Sequence, residues 1–197
     1  LHDETKQAVL IDCGVLHPQE KQAITDYVTA HQLQITQAWQ THGHFDHIFG
    51  CQWAYETFGV SPILHPADEH RYLHAGEELQ LFLHQRVEIP VPSLAAYLAD
   101  GQMLSFGNHD FEVIATPGHT PGGVCFYCAS EKVLITGDSL FEGSIGRCDL
   151  PEGDMDTLIQ SLQTRVMTLP DDVRIYPGHG RSSTIGHERT SNPYLIS

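Results

Sequence analysis

Thr41-His42-Gly43-His44-Phe45-Asp46-His47 packs four ligand-type side chains into the six residues from His42, and it follows Ile35 to Trp39, which reads as a β-strand. In extended chain, residues two apart project to the same side, so His42 and His44 can grip one metal ion. Asp46 and His47 fall past the bend. They can face a second ion about 3.5–4 Å away, the usual spacing of paired catalytic metals. Asp46 also sits where a helix cap is expected, ahead of Ile48, Phe49, Trp53 and Phe58, with Gly59 as the stop.

Three further turns repeat the pattern of a strand followed by His or Asp beside glycine. They are Thr116-Pro117-Gly118-His119-Thr120-Pro121-Gly122 after Phe111–Ala115, Thr136-Gly137-Asp138 after Val133–Ile135, and Tyr176-Pro177-Gly178-His179-Gly180 at the end of a strand from Arg174. In layered α/β folds, functional groups gather on loops past the carboxyl ends of strands. His119 would then complete the first site and His179 the second, with Asp138 bridging both. Imidazole and carboxylate donors without thiolate suit Zn, Fe or Mn and disfavour a closed structural zinc site.

The rest of the chain fits around these turns. Leu1 to Asp12 reads as a hairpin across Asp3-Glu4-Thr5-Lys6, with Ala8–Ile11 as its strand; its one-residue first arm points to a strand missing ahead of Leu1. A helix opens at Pro18 with Ala23, Ile24, Tyr27 and Val28 on one face. Val60–Leu64 and Val124–Cys128 are further strands. Residues 66–86 are mostly helical with a break at Gly76, and Ile89-Pro90-Val91-Pro92 is a loop. A long loop runs from Asp138 to Gly153. Asp154 then caps a helix carrying Met155, Leu158, Ile159, Leu162 and Val166, and the tail ends in a short helix. Alternating strands and helices without a linker predict a single α/β domain over residues 1–197.

Composition narrows the function. Ten Lys and Arg against 25 Asp and Glu give a net charge of −15, which repels nucleic acid and anionic lipid. Apolar runs fall short of the roughly 20 residues of a membrane span. Five scattered Cys argue against a disulfide framework, and with no signal peptide legible the expected location is the cytoplasm. Other polar features carry less. Cys125 and Cys128 stand three apart in a strand and face opposite sides. His70 and His74 mark a solvated helix face, His65 a strand end with a backbone partner. Ser139 has no local base.

The spacing His42-x-His44-x-Asp46-His47, followed by His119, Asp138 and His179, resembles the metallo-β-lactamase superfamily across essentially the whole chain. Within it, the glyoxalase II-like branch, and its short single-domain bacterial hydrolases above all, is similar in three stretches. These are Thr116–Gly122, Gly137-Asp138-Ser139-Leu140-Phe141 with Gly146-Arg147, and Glu188-Arg189-Thr190-Ser191-Asn192-Pro193-Tyr194-Leu195. The resemblance implies a four-layer αββα sandwich, its usual first strand preceding Leu1, with a dinuclear site in a cleft at one sheet edge. It implies that Asp12, in Ile11-Asp12-Cys13-Gly14, supports the ligands from behind, and that Arg147 matches a basic residue of the family's thiol-peptide site. The bridging Asp138 and the lack of a Cys ligand separate the chain from true β-lactamases. Two features depart from glyoxalase II proper. The sequence stops at Ser197, short of the helical region that builds much of its glutathione site, and Arg181 stands where it has an aromatic residue.

The implied activity is metal-dependent hydrolysis of a small-molecule thioester such as S-lactoylglutathione, by a monomer or small homo-oligomer holding two divalent ions, Zn first, with Fe or Mn as alternatives. Paired dications bring the pKa of a bridging water toward about 7, and Asp46 orients the resulting nucleophile. A thiolate leaves without a general acid. The rivals are a persulfide dioxygenase with one iron and a metal-free binding module on the same fold.

Overall fold

The computed structural model describes residues 1–85 and 87–196. The chain forms two compact units, Leu1–Tyr97 with Ser105–Asn108, and Leu98–Leu104 with His109–Ser197.

The first unit runs β1 (Gln7–Ile11), α1 (Pro18–His31), β2 (Gln34–Trp39), α2 (Phe45–Ile48), α3 (Cys51–Phe58), β3 (Pro62–Leu64), α4 (Glu69–Leu73), α5 (Ala75–Leu83) and β4 (Ala96–Tyr97). Its sheet is ordered β1-β2-β3-β4 with every pair parallel. Parallel neighbours need crossovers, which the intervening helices supply. The expected hairpin is present in minimal form: His2 bridges Ala8, and the Val9 N–H donates to the Leu1 carbonyl at 2.9 Å. The buried core gathers Ile48, Cys51, Ala54, Leu64 and Tyr72.

Four local expectations are corrected here. Helix α1 begins at Pro18, and Glu20 Oε2 accepts from the His17 N–H at 2.8 Å, but none of its residues is buried. Ala23 and Tyr27 lie in solvent, and Ile24 and Val28 are half-buried. Asp46 is not a cap: the chain turns into α2 two residues earlier, His44 taking the cap position with φ −67° and ψ 148°. The single helix expected up to Phe58 is interrupted before Cys51, because the chain passes tightly at Gly50. A Cβ there would lie 2.5 Å from Val15 Cγ2 and 2.8 Å from Cys13 Sγ. The break expected at Gly76 falls instead at His74. Gly76 lies inside α5, where a Cβ would meet the Val87 carbonyl oxygen at 2.0 Å; this glycine serves close approach, not a stop. Arg86, the last residue of that expected helical stretch, lies outside the described residues.

The second unit runs β5 (Met103–Phe106), β6 (His109–Ala115), β7 (Val124–Cys128), β8 (Val133–Gly137), β9 (Leu140–Phe141), β10 (Ser144–Ile145), α6 (Met155–Ser161) continued by a π-helical turn at Leu162–Val166, β11 (Arg174–Pro177), β12 (Ser183–Thr184) and α7 (Ile185–Ser191). Its sheet is ordered β12-β11-β8-β7-β6-β5. β6, β7 and β8 form an antiparallel meander, and β11 joins β8 in parallel. Leu134, Leu140, Leu158, Leu162, Val166 and Ile175 are buried in its core. Asp154 caps α6 as expected, Oδ1 accepting from the Thr157 N–H at 2.8 Å. The expected long loop contains the β9–β10 hairpin.

The Glu188–Leu195 motif proves to be a fastening. Buried Glu188 accepts from the Gly143 N–H at 2.9 Å and from Asn192 Nδ2 at 2.8 Å, and Arg189 Nη2 donates to the carbonyls of Met167 at 2.7 Å and Leu169 at 2.6 Å. Among the described residues, no helix is long and apolar enough to cross a membrane.

Candidate metal centre

In the first unit, β2 delivers Gln40 to His44 as a tight turn before α2, and His42, His44 and His47 are all nearly inaccessible. The rings of His42 and His44 stand 4.7 Å apart and edge-on, and those of His42 and His47 are 4.2 Å apart. Asp12 organises this turn from the end of β1. Its Oδ1 accepts the Thr41 N–H at 2.7 Å, and its Oδ2 accepts the Thr41 hydroxyl at 2.6 Å and the His47 Nδ1–H at 3.0 Å. Asp12 does this from a left-handed backbone conformation, φ 49°, which an L-residue adopts at a cost.

These bonds fix which ring nitrogen can bind a metal. The Thr41 hydroxyl proton goes to Asp12, so its oxygen can only accept from His42 Nδ1, 2.9 Å away. His42 and His47 therefore both carry the proton on Nδ1 and the lone pair on Nε2. Asp12, His42 and His47 each offer a ligand atom within 4.8 Å of the others. Asp46, in the first turn of α2, places Oδ2 3.8 Å from His47 Nε2, and its side chain is 38% exposed.

A second layer behind the turn had no sequence signal. The Gly43 N–H donates to Asp68 Oδ2 at 2.9 Å, His44 Nε2 lies 3.2 Å from Glu78 Oε1, and Arg71 Nη1 donates to that same oxygen at 2.8 Å. Asp68, Arg71 and Glu78 are all buried. Gly43 fits this packing closely, since a Cβ would sit 3.0 Å from the Asp68 carbonyl oxygen, tighter than an ordinary contact.

In the second unit, His119 lies on the β6–β7 turn, Asp138 directly after β8 and His179 just past β11. Asp138 Oδ2 stands 3.8 Å from His119 Nε2 and 3.5 Å from His179 Nε2. His119 Nδ1 donates to the Arg147 carbonyl at 2.7 Å, so it too presents its lone pair at Nε2. His119 is buried, whereas the His179 side chain is 58% exposed. Gly118, at φ 134°, backs onto α6: a Cβ there would lie 2.3 Å from the Leu158 nitrogen. Gly146 backs onto the ligands, where a Cβ would meet the Asp138 carbonyl oxygen at 1.9 Å and the His119 ring at 3.0 Å.

The Arg147 side chain, the expected substrate contact, makes a two-pronged pair with Asp149, Nε to Oδ1 at 2.7 Å and Nη2 to Oδ2 at 2.9 Å. That contact holds the Asp149 carboxyl below the usual carboxylate range. The features set aside behave as expected. Cys125 Sγ points to the Thr136 carbonyl and Cys128 Sγ to Ser130. Ser139 Oγ sits 2.7 Å from Thr116 Oγ1, and His65 Nδ1 accepts from the Ala67 N–H. Burial pushes the Cys13 and Cys125 thiols up to about 11 and raises Cys51 as well. They are inert fillers.

In comparisons with known proteins, a model of the metallo-beta-lactamase superfamily matches residues 2–179. The hydroxyacylglutathione hydrolase GloC of Haemophilus influenzae is 35% identical over 99% of this chain and 90% of its own length. Among solved structures, the BLEG-1 B3 metallo-beta-lactamase superposes with a TM-score of 0.90 at 32% identity, over 100% of this chain and 92% of that one. TTHA1623 in a di-iron-bound form superposes with a TM-score of 0.83 at 35% identity, over 95% and 89%.

Proposed function

Because the chain belongs to the metallo-β-lactamase superfamily, we propose that it is a cytoplasmic, single-domain, dinuclear thioester hydrolase acting on an S-acyl thiol such as S-lactoylglutathione. The observation that carries the reading is the ring orientation: His42, His47 and His119 each have Nδ1 tied to an oxygen and Nε2 turned to ligate. The similarity to GloC supports the substrate class.

In this reading His42, His44 and His119 hold one divalent ion, Asp46, His47 and His179 hold the second, and Asp138 serves both. The all-imidazole and carboxylate donor set fits zinc, iron or manganese. When bound, the ions supply an electrophile for the acyl oxygen and bring water within reach of deprotonation near neutral pH.

The protein's own groups do the aiming. Asp46, half-open to solvent in the first turn of α2, accepts a hydrogen from the attacking water and turns it toward the thioester carbon. Thiolate departs without a proton from the protein. Arg147 can hold a substrate carboxylate by exchanging it for Asp149.

Metal content measured together with turnover of glutathione and coenzyme A thioesters tests this. Two metals per chain and hydrolysis of at least one thioester are expected. One iron per chain, oxygen uptake with glutathione persulfide and no thioester turnover under any metal would overturn it in favour of a dioxygenase.

A further inference from the structure

Asp138 and the carbonyl that sets His119 stand at the two ends of one small hairpin. Asp138 precedes β9 by two residues, and Arg147 follows β10 by two. The hairpin has two residue pairs, Phe141 with Ser144 and Leu140 with Ile145. A ribbon that short does not hold its own shape in water. At its base the Thr136 hydroxyl donates to the Leu140 carbonyl at 2.8 Å, and the Gly146 N–H reaches the Ser139 carbonyl only at 3.3 Å. Its tip is exposed at Glu142 and Gly143, and α7 holds it there. The Gly143 N–H donates to Glu188 Oε2 at 2.9 Å. Asn192 Nδ2 donates both to that oxygen at 2.8 Å and to the Ser144 carbonyl at 3.0 Å.

Glu188 is a costly residue for this position. It is 0% exposed, and its three donors, the Gly143 N–H, the Asn192 amide and the Ser183 hydroxyl, are all uncharged. Buried carboxylates are ordinarily matched by a cation or a metal, and packing alone would be served by an apolar side chain. The charge supplies strength instead, since hydrogen bonds to a carboxylate are roughly twice as strong as neutral ones. Those bonds tie the hairpin, β12 and α7 together.

We propose that Glu188 is a positioning residue for the second unit's metal ligands: by pinning the β9–β10 hairpin it fixes where Asp138 and the Arg147 carbonyl stand, and through that carbonyl the ring of His119. The inference rests on His119 and Asp138 being ligands, as read above. The route is short. His119 Nδ1 donates to the Arg147 carbonyl at 2.7 Å, and a Cβ on Gly146 would lie 1.9 Å from the Asp138 carbonyl oxygen. The two ends of the hairpin thus lie against each other, and a hairpin free to swing would carry the supports of both ligands with it. Arg189, the neighbouring residue on α7, donates instead to the carbonyls of Met167 and Leu169.

The test needs no substrate. In metal-free protein labelled with 15N-histidine and held above the histidine titration range, long-range proton–nitrogen spectra report the His119 tautomer. Zinc titration of the same samples reports the ligands. Wild type should show the His119 proton on Nδ1. Glu188→Ala frees the hairpin tip: the tautomer should become mixed, and zinc binding should weaken by about 10–100-fold, the usual loss when a ligand's outer partner is disturbed. Glu188→Gln can seat its amide oxygen against Gly143 and Asn192 and turn its nitrogen to the Ser183 hydroxyl, so it should restore both readouts. Arg189→Ala should lower the denaturant midpoint yet leave tautomer and zinc affinity at wild-type values. Asn192→Ala cuts the Ser144 tether and leaves Glu188 bonded to Gly143 and Ser183. It should shift both readouts in the same direction as Glu188→Ala, and it carries the test where Glu188→Ala does not fold. A folded Glu188→Ala or Asn192→Ala protein with the wild-type tautomer and zinc affinity would overturn the proposal. So would losses of the same size in Arg189→Ala. Absence of thioester turnover in a protein that passes these tests would count against the hydrolase reading alone.

Discussion

The candidate ligands of the first unit are held by side chains, those of the second by the main chain. Asp12 and Thr41 set the rings of His47 and His42, whereas His119 leans on the Arg147 carbonyl and the Asp138 turn closes on a bare Gly146. The difference locates sensitivity to change. A side-chain fixture fails when one buried acid is replaced. A main-chain fixture ignores the identity of the side chain and fails when a Cβ is added.

The largest expected effect tests the main-chain half. Gly146→Ala drives a methyl to 1.9 Å from the Asp138 oxygen, contact that only backbone movement relieves. It should cost about 3 kcal/mol or more, the upper end of overpacking, and disturb the Asp138 turn. Denaturant unfolding and metal content would show it; a wild-type midpoint would break the comparison. Asp12→Ala comes next. It strands the Thr41 N–H, the Thr41 hydroxyl and His47 Nδ1, and should cost about 2–4 kcal/mol with a 10–100-fold loss of metal affinity. Asp12→Asn, which keeps an acceptor for Thr41, should lose less in calorimetry and in zinc titration.

A smaller effect is spread over both units. The folded-state values of Cys13 and Cys125, about 11, exceed the ordinary 9.0, so the folded protein keeps these protons when the unfolded chain has lost them. Their contribution is complete below pH 9 and fades as pH rises toward 11. Thermal midpoints should fall across that window, more gently in Cys125→Ala. Iodoacetamide at pH 8 should label Cys13, Cys51 and Cys125 after unfolding but not before. The smallest effect is the sharpest contrast with Asp12. Arg147→Ala keeps the carbonyl that His119 uses, so metal content and thermal midpoint should match wild type. A fall in metal content would show that the side chain, not the main chain, holds that ring.

The candidate ligands were legible in the sequence because His42, His44, His119, Asp138 and His179 each stand beside glycine just past a strand, with Asp46 and His47 close behind the first pair. Asp12 and Arg147 were reached through resemblance. Asp68, Arg71 and Glu78 left no trace, since acids and bases scattered along a helical stretch look like a solvated face until burial is known. Gly76 was misread for a related reason. A glycine placed for another segment's close approach is indistinguishable in sequence from one that ends a helix. The strands β4, β9, β10 and β12, two residues each, exist by virtue of their partners and have no pattern of their own.

The hand in which strands pair also sets a schedule for folding. β6, β7 and β8 are antiparallel neighbours joined by short turns, so their contacts close small loops. In the first unit every strand is parallel to its neighbour, and each pairing must wait for a whole crossover to be gathered in. Synthesis runs the other way: the slow-closing segment leaves the ribosome first and stays open longest, its apolar strand edges exposed to chaperones and to other chains. In refolding followed by pulsed hydrogen exchange, amides of β6–β8 should gain protection ahead of those of β1–β3.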